Sequence, residues 1–357
     1  MSRDKIKVLV VEDSALQRKI ITDILSSDPE IEVVGTANNG RTAIFKNDSL
    51  QPDVITMDIE MPIMDGLESL RHIIKNNPKP VIMMSVLTQH GTETTFKALE
   101  YGAVDFIPKP SSSLSLPIDE ISALLIEKVK SVYKSNVKIP VKQEIAVIGE
   151  NDRDFFDDKK IVYKGRPVSD KIVGIGTSTG GPSALLHIFK NLPDNFPSSL
   201  LVVQHMPEGF TKAFADRLNV NKGIRVKEAE DGDLIKPGWA YIAPGHSHMK
   251  VTESDKKSKI INIYKGEKVN GHRPSIDVLF ESMADVFSKN AVCVIMTGMG
   301  SDGANGILKV KDKGGYTMAQ DQESSVVYGM NRVAVGKGAI DEIVPLIDIS
   351  QKIVDHL

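Results

Sequence analysis

The chain has 357 residues, more than one ordinary hydrophobic core supports, so two domains are expected. Hydrophobic residues make up 41% and charged residues 25%, as in soluble globular proteins, and the net charge of -3 gives no electrostatic case for nucleic acid or an anionic membrane as a main partner. No apolar run approaches the ~18 residues of a membrane span, the start Met1-Ser2-Arg3-Asp4-Lys5 runs into a strand pattern instead of a signal peptide, and the single cysteine, Cys293, fits a reducing compartment, so a cytoplasmic protein is expected.

Ile6-Lys7-Val8-Leu9-Val10-Val11 reads as a buried strand. Ser14 can cap a helix whose apolar residues Leu16, Ile20 and Ile24 recur at i, i+4. Strand patterns follow at residues 31–34, 53–57, 81–85 and 105–107, and a helix over residues 118–133 closes the unit. Strands alternating with helices at this density predict a flavodoxin-like, doubly wound α/β domain over residues 1–134. Residues 135–169 carry clustered charges without a period and are expected to be a linker. Phe155-Phe156 and Ile161-Val162-Tyr163 are too apolar for a freely solvated tether, so part of the linker should pack on a domain. A second α/β pattern fills residues 170–357, with strands at 171–175, 199–203 and 291–296 and helices at 183–190 and 274–287. Residues 224–265 look β-rich, with turns at Asp231-Gly232-Asp233 and Pro237-Gly238. Cys293 sits in an apolar run and reads as core, not as a nucleophile.

The first domain gathers acids where doubly wound sheets put their ligands. Glu12 and Asp13 follow the first strand and Asp58 follows the third. Three carboxylates at one edge repel unless a cation sits between them, and a hard, oxygen-ligated ion such as Mg2+ fits. One carboxylate can then attack a phosphoryl donor. Lys109, after the fifth strand, supplies a point charge, and Ser85, ending the fourth, supplies a hydroxyl.

Val10-Val11-Glu12-Asp13-Ser14, the run Met57 to Gly66 and the run Gly102 to Pro110 together resemble a response-regulator receiver domain. The resemblance makes Asp58 the phosphoacceptor. It implies Mg2+ ligands in Glu12, Asp13, Asp58 and the backbone carbonyl of Glu60. It makes Ser85 and Phe106 the residues that shift on phosphorylation, with Lys109 sensing the phosphoryl group, and it implies a cis Lys109-Pro110 bond. Many receivers carry two aspartates where this chain has Glu12-Asp13.

In the second domain, Gly176-Thr177-Ser178-Thr179-Gly180 lies after a strand and before a helix, which places a serine hydroxyl at the tip of a tight turn. The helix start offers N–H groups to a developing oxyanion. His205 ends the next strand, and Asp302 follows another, so all three fall at one edge of a parallel sheet. Ser178 would attack, His205 accept its proton, and Asp302 fix the imidazole tautomer. Two rival readings exist. Gly174 and Gly176 with Gly180-Gly181 could cradle a nucleotide, and His246, His248 and His272 could bind zinc.

Five motifs in order resemble the catalytic domain of the CheB family of chemotaxis methylesterases. They are Gly174 to Pro182, Val203 to Pro207, Ala243 to His246, His272 to Phe280 and Met296 to Gly303. The resemblance makes Ser178, His205 and Asp302 the triad and the backbone N–H of Met299 an oxyanion donor. One departure is Met330-Asn331, where relatives commonly have proline after the methionine. A doubly wound, parallel-sheet methylesterase is therefore expected behind the receiver. It would hydrolyse glutamate methyl esters and deamidate glutamines on chemoreceptors, with a sensor histidine kinase as phosphodonor, Mg2+ at the receiver and no cofactor at the ester site. The unphosphorylated receiver would block the Ser178 cleft. The alternative is a receiver joined to a non-catalytic binding module.

Overall fold

The structure, a computed structural model, describes residues 5–86, 89–110, 117–134, 161, 163–165, 168–219, 223–254 and 258–357. The chain divides into two compact units between Asp157 and Asp158.

The first unit alternates strands and helices in the order β1 (Ile6–Val11), α1 (Ala15–Ser26), β2 (Ile31–Ala37), α2 (Gly40–Leu50), β3 (Val54–Asp58), α3 (Gly66–Asn76), β4 (Val81–Ser85), α4 (Gln89–Glu100), β5 (Asp105–Pro108) and α5 (Ile118–Lys134). The strands pair in parallel in the order β2-β1-β3-β4-β5. β3 and β4 are buried at every residue, as strands covered on both faces must be. Side-chain oxygens of Ser14, Asn39 and Asp65 cap α1, α2 and α3. The strand order reverses between β1 and β3, which places Glu12, Asp13 and Asp58 at the switch point.

The second unit carries β6 (Ile172–Thr177), α6 (Gly181–Asn191), β7 (Leu200–Gln204), α7 (Phe210–Leu218), β8 (Arg225–Glu228), β9 (Trp239–Ile242), β10 (His248–Glu253), β11 (Lys259–Tyr264), α8 (Ile276–Phe287), β12 (Ala291–Ile295), α9 (Ala304–Asp312), β13 (Tyr316–Gln320), α10 (Met330–Gly336), β14 (Glu342–Val344) and α11 (Leu346–Asp355). Seven strands form a parallel sheet in the order β14-β13-β12-β6-β7-β9-β8, with its reversal between β6 and β12. The β-rich stretch splits in two: β8 and β9 extend this sheet, while β10 and β11 form an antiparallel pair. Ser282 on α8 accepts from the β10 backbone at Val251, 3.0 Å away. Cys293 is fully buried on β12 beneath Met283, as its apolar neighbours require.

Two expectations need correction. Leu16 is 68% exposed, and the buried stripe of α1 is Ile21 and Leu25. The i, i+4 ladders through Ile20 and Ile21 are adjacent on the helix, and packing, not spacing, selects between them. The Lys109–Pro110 peptide is trans, the isomer X–Pro bonds favour by about 0.5–1 kcal/mol; the cis peptide among the described residues is Arg273–Pro274. Ile161-Val162-Tyr163 was expected to pack, and Tyr163 does, its carbonyl accepting from Asn195 Nδ2 at 2.8 Å. Val162 and Phe155-Phe156 lie outside the described residues.

Ile63, between β3 and α3, has φ of 72° and is 73% exposed. A β-branched residue is strained there and has little packing to lose. Ile63→Asn is expected to stabilise the first unit by about 0.5–1 kcal/mol. Urea unfolding checks this: the midpoint should rise with an unchanged m-value.

Candidate functional site

At the first switch point, backbone contact fixes Asp58. A Cβ on Gly66 would lie 2.0 Å from the Asp58 carbonyl oxygen, so only glycine lets α3 start so close to β3. Glu12 and Asp58 are buried and Asp13 is exposed. Lys109 Nζ lies 2.7 Å from Asp58 Oδ2 and 3.0 Å from Glu12 Oε2. The cation that three gathered acids require is therefore supplied in part by this lysine. It does not suffice for Glu12, whose carboxyl is pushed up to about 7 by burial first and by the Asp58 charge next. Burial also pushes Asp58 up, against the pull of Lys109.

Carboxylate oxygens of Glu12, Asp13 and Asp58 lie within 4.8 Å of one another, a set of hard donors that fits Mg2+. Glu60 lines the same cavity, with its N–H 3.4 Å from Asp58 Oδ1. Ser85 is buried, and its hydroxyl lies 2.6 Å from Thr95 Oγ1 on α4. A buried hydroxyl takes a partner, and here the partner is on the helix. Phe106 is buried edge-to-face on Phe96, with ring centroids 6.0 Å apart.

At the second switch point, Ser178 follows β6, His205 follows β7, and Asp302 follows β12. Gly180, with φ of 77°, turns the chain into α6. A Cβ on Gly298, in the loop that carries Asp302, would lie 2.7 Å from Ser178 Cβ, so this loop abuts the serine. Met299 is the next residue. Gln204 Nε2 donates to the carbonyls of both Ser178 and His205, each at 3.0 Å. His205 Nε2 lies 2.8 Å from Asp302 Oδ2. His205 Nδ1 is buried and makes no hydrogen bond, which leaves it as the ring atom that can take a proton.

Asp302 is held from several sides. Its Oδ2 also accepts from Ile276 N at 2.7 Å, and its Oδ1 accepts from Ser275 Oγ at 2.7 Å, Asn270 Nδ2 at 3.0 Å and Asp277 N at 3.3 Å. Burial pushes its carboxyl up, but the bond and charge of His205, with Asn270 and Ile276 N, outweigh burial and hold it well below the usual carboxylate range.

Several residues of the rival readings have structural partners: Cβ atoms on Gly180 and Gly181 would strike Val326 and Gln204. Cβ atoms on Gly174 and Gly176 would strike Met283 and Ile276 of α8, so these glycines make room for a helix. His248 is buried, its ring nitrogens paired with Glu267 O and Ser275 N. His272 stacks on His205, 3.8 Å between centroids. Asn331 is buried in α10 and donates to Gln320 O and Ser325 Oγ, which gives the asparagine a role a proline lacks. Sequence reasoning missed Gln204, Asn270 and Ser275; of these only Asn270, in the dipeptide Asn270-Gly271, carries a local signal, that of a tight hairpin.

A receiver-type acidic site and, in the same chain, a serine–histidine–aspartate sheet edge make up a response regulator with an enzymatic output. A family model described as response regulator receiver domain matches residues 8–117, and one described as CheB methylesterase matches residues 173–353. The chain is 46% identical to a protein-glutamate methylesterase/protein-glutamine glutaminase of Pyrococcus horikoshii, over 98% of this chain and 93% of that one. It is 47% identical to the protein of the same description in Halalkalibacterium halodurans, over 98% of each chain. The crystal structure of the Thermotoga maritima CheB methylesterase catalytic domain matches with a TM-score of 0.52 at 43% identity, covering 53% of this chain and 100% of that one. The chain belongs to the CheB methylesterase family.

Binding of Mg2+ at the acidic site should stabilise the first unit by about 2.7 kcal/mol at a hundred times the dissociation constant. Asp13 is exposed, so Asp13→Asn should reduce this gain while leaving metal-free stability near wild type. Urea melts with Mg2+ and with a chelator measure both.

Proposed function

We propose that this protein hydrolyses glutamate methyl esters, and deamidates glutamines, on chemoreceptors, using Ser178, His205 and Asp302 as its triad. The domains would be a receiver over residues 1–134, a linker over 135–169 and the catalytic domain over 170–357. The observation that carries this is the His205–Asp302 pair, which leaves Nδ1 of the buried imidazole open at the sheet edge that Ser178 shares. Ser178 Oγ attacks the side-chain carbonyl carbon while its proton passes to His205 Nδ1. Asp302, kept ionised by its donors, holds Nε2–H and stabilises the imidazolium. The backbone N–H of Met299 takes the oxyanion. Collapse breaks the C–O or C–N bond, and the proton on Nδ1 leaves with methanol or ammonia. Water, deprotonated by His205, then attacks the acyl-enzyme and frees the glutamate and Ser178. Ester and amide differ only in leaving group, so one triad serves both.

The switch is Asp58, which accepts a phosphoryl group from the histidine kinase of the chemotaxis system. Glu12, Asp13, Asp58 and the Glu60 carbonyl would hold Mg2+, which when bound offsets the negative charge gathered there. Lys109 meets the phosphoryl oxygens, and Ser85 and Phe106 transmit the change. Phosphorylation relieves a block on the Ser178 site. A swing from 1:99 to 99:1 between blocked and open forms requires on the order of 5 kcal/mol of differential stability.

Ser178→Ala should cut methanol release from methylated receptor membranes by more than about 10³-fold; unchanged release would end the esterase assignment. For the switch, the whole chain, Asp58→Asn and a 165–357 fragment are compared with a small phosphodonor and Mg2+. The donor should accelerate the whole chain only, and the fragment should outpace the unphosphorylated whole. A fragment no faster than that would refute blocking.

A further inference from the structure

A two-residue turn outside the triad's strands reaches the triad twice. Val269 and His272 exchange backbone hydrogen bonds of 3.0 and 2.9 Å. Between them Asn270 and Gly271 have φ of 52° and 82°, the left-handed pair of a tight hairpin turn. The far end of the turn places His272 on the face of His205. Its near end places the Asn270 amide between two buried carboxylates. Nδ2 donates to Asp302 Oδ1 at 3.0 Å and to Asp277 Oδ2 at 2.7 Å. Burial, and then the charge of Asp302, push the Asp277 carboxyl up, so the two acids oppose one another. Asp277 is otherwise tied to the Gly306 N–H, 2.7 Å from its Oδ1.

We infer that Asn270 is a positioning residue of the esterase centre, its amide fixing the Asp302 carboxylate in the orientation that holds His205. The inference rests on the triad proposed above. One amide satisfies both acids without adding charge, and the left-handed turn fixes where that amide points. Without it, Asp302 loses one of its donors and faces Asp277 unbridged, and its hold on Nε2 rests on Ser275, Ile276 N and Asp277 N alone. It also becomes more basic, which favours the imidazolium. The titratable groups around the pair are Asp277 and Glu281 toward Asp302, and Asp302 and His272 toward His205.

The test uses the full chain, Mg2+ and a saturating phosphodonor, with methanol release from methylated receptor membranes as readout. Asn270→Gly keeps the left-handed turn and removes only the amide. It should lower kcat by about 10- to 100-fold with little change in KM. It should also move the acid limb of kcat/KM to higher pH, while the thermal midpoint stays near wild type. A role confined to shaping the turn is one that glycine also fills, so it would leave kcat, the midpoint and the acid limb at wild type. Wild-type kcat and an unmoved acid limb in Asn270→Gly overturn the inference. If that variant does not fold, Asn270→Asp decides: it keeps the side-chain shape and the tolerance for positive φ but sets a third acid against Asp302. Loss of kcat supports the role and wild-type kcat overturns it. Ser178→Ala runs alongside. Activity surviving there ends the triad itself, whereas an inactive Ser178→Ala beside a wild-type Asn270→Gly ends only the role of Asn270.

Discussion

A carboxylate taken out of water must be met by donors or by an opposite charge, and both units are organised around that requirement. They meet it differently. Asp302 is enclosed by neutral N–H and O–H groups and one imidazole, which keep it ionised and fixed in place. Glu12 and Asp58 share a single ammonium, and Glu12 is left well above its ordinary range. The first arrangement suits an acid that orients a base and never reacts. The second leaves unmet negative charge, which suits the capture of a cation and, with it, a phosphoryl group.

Both arrangements depend on parallel sheets whose strands are buried on two faces. In such sheets only the carboxyl ends are open to ligands, and the reversal of strand order opens a crevice there. Asp58 stands beside the reversal in one sheet, Ser178 and Asp302 on either side of it in the other. Strands β3 and β6 are buried along their whole length, so the polar side chains next to them gather at their ends.

What the sequence makes legible follows from locality. Buried parallel strands read as unbroken apolar runs, so β1, β4 and β12 are visible with nearly their observed limits. The acids after β1 and β3 and the serine after β6 inherit their place from those runs. The stripe that α1 buries is not legible, because two i, i+4 ladders lie side by side and the partner surface chooses. Nor are Gln204, Asn270 and Ser275, whose contacts with Ser178 and Asp302 span 26 to 32 residues of chain. The glycines of β6 were ambiguous for a similar reason. A missing Cβ is equally consistent with an approaching ligand and an approaching helix, and only the position of Ile276 and Met283 resolves it.

Gln204 joins the backbone carbonyls of Ser178 and His205 by one rigid, planar amide. That bridge ties the residue after β6 to the residue after β7, so displacing either backbone at the sheet edge strains the hydrogen bond to the other.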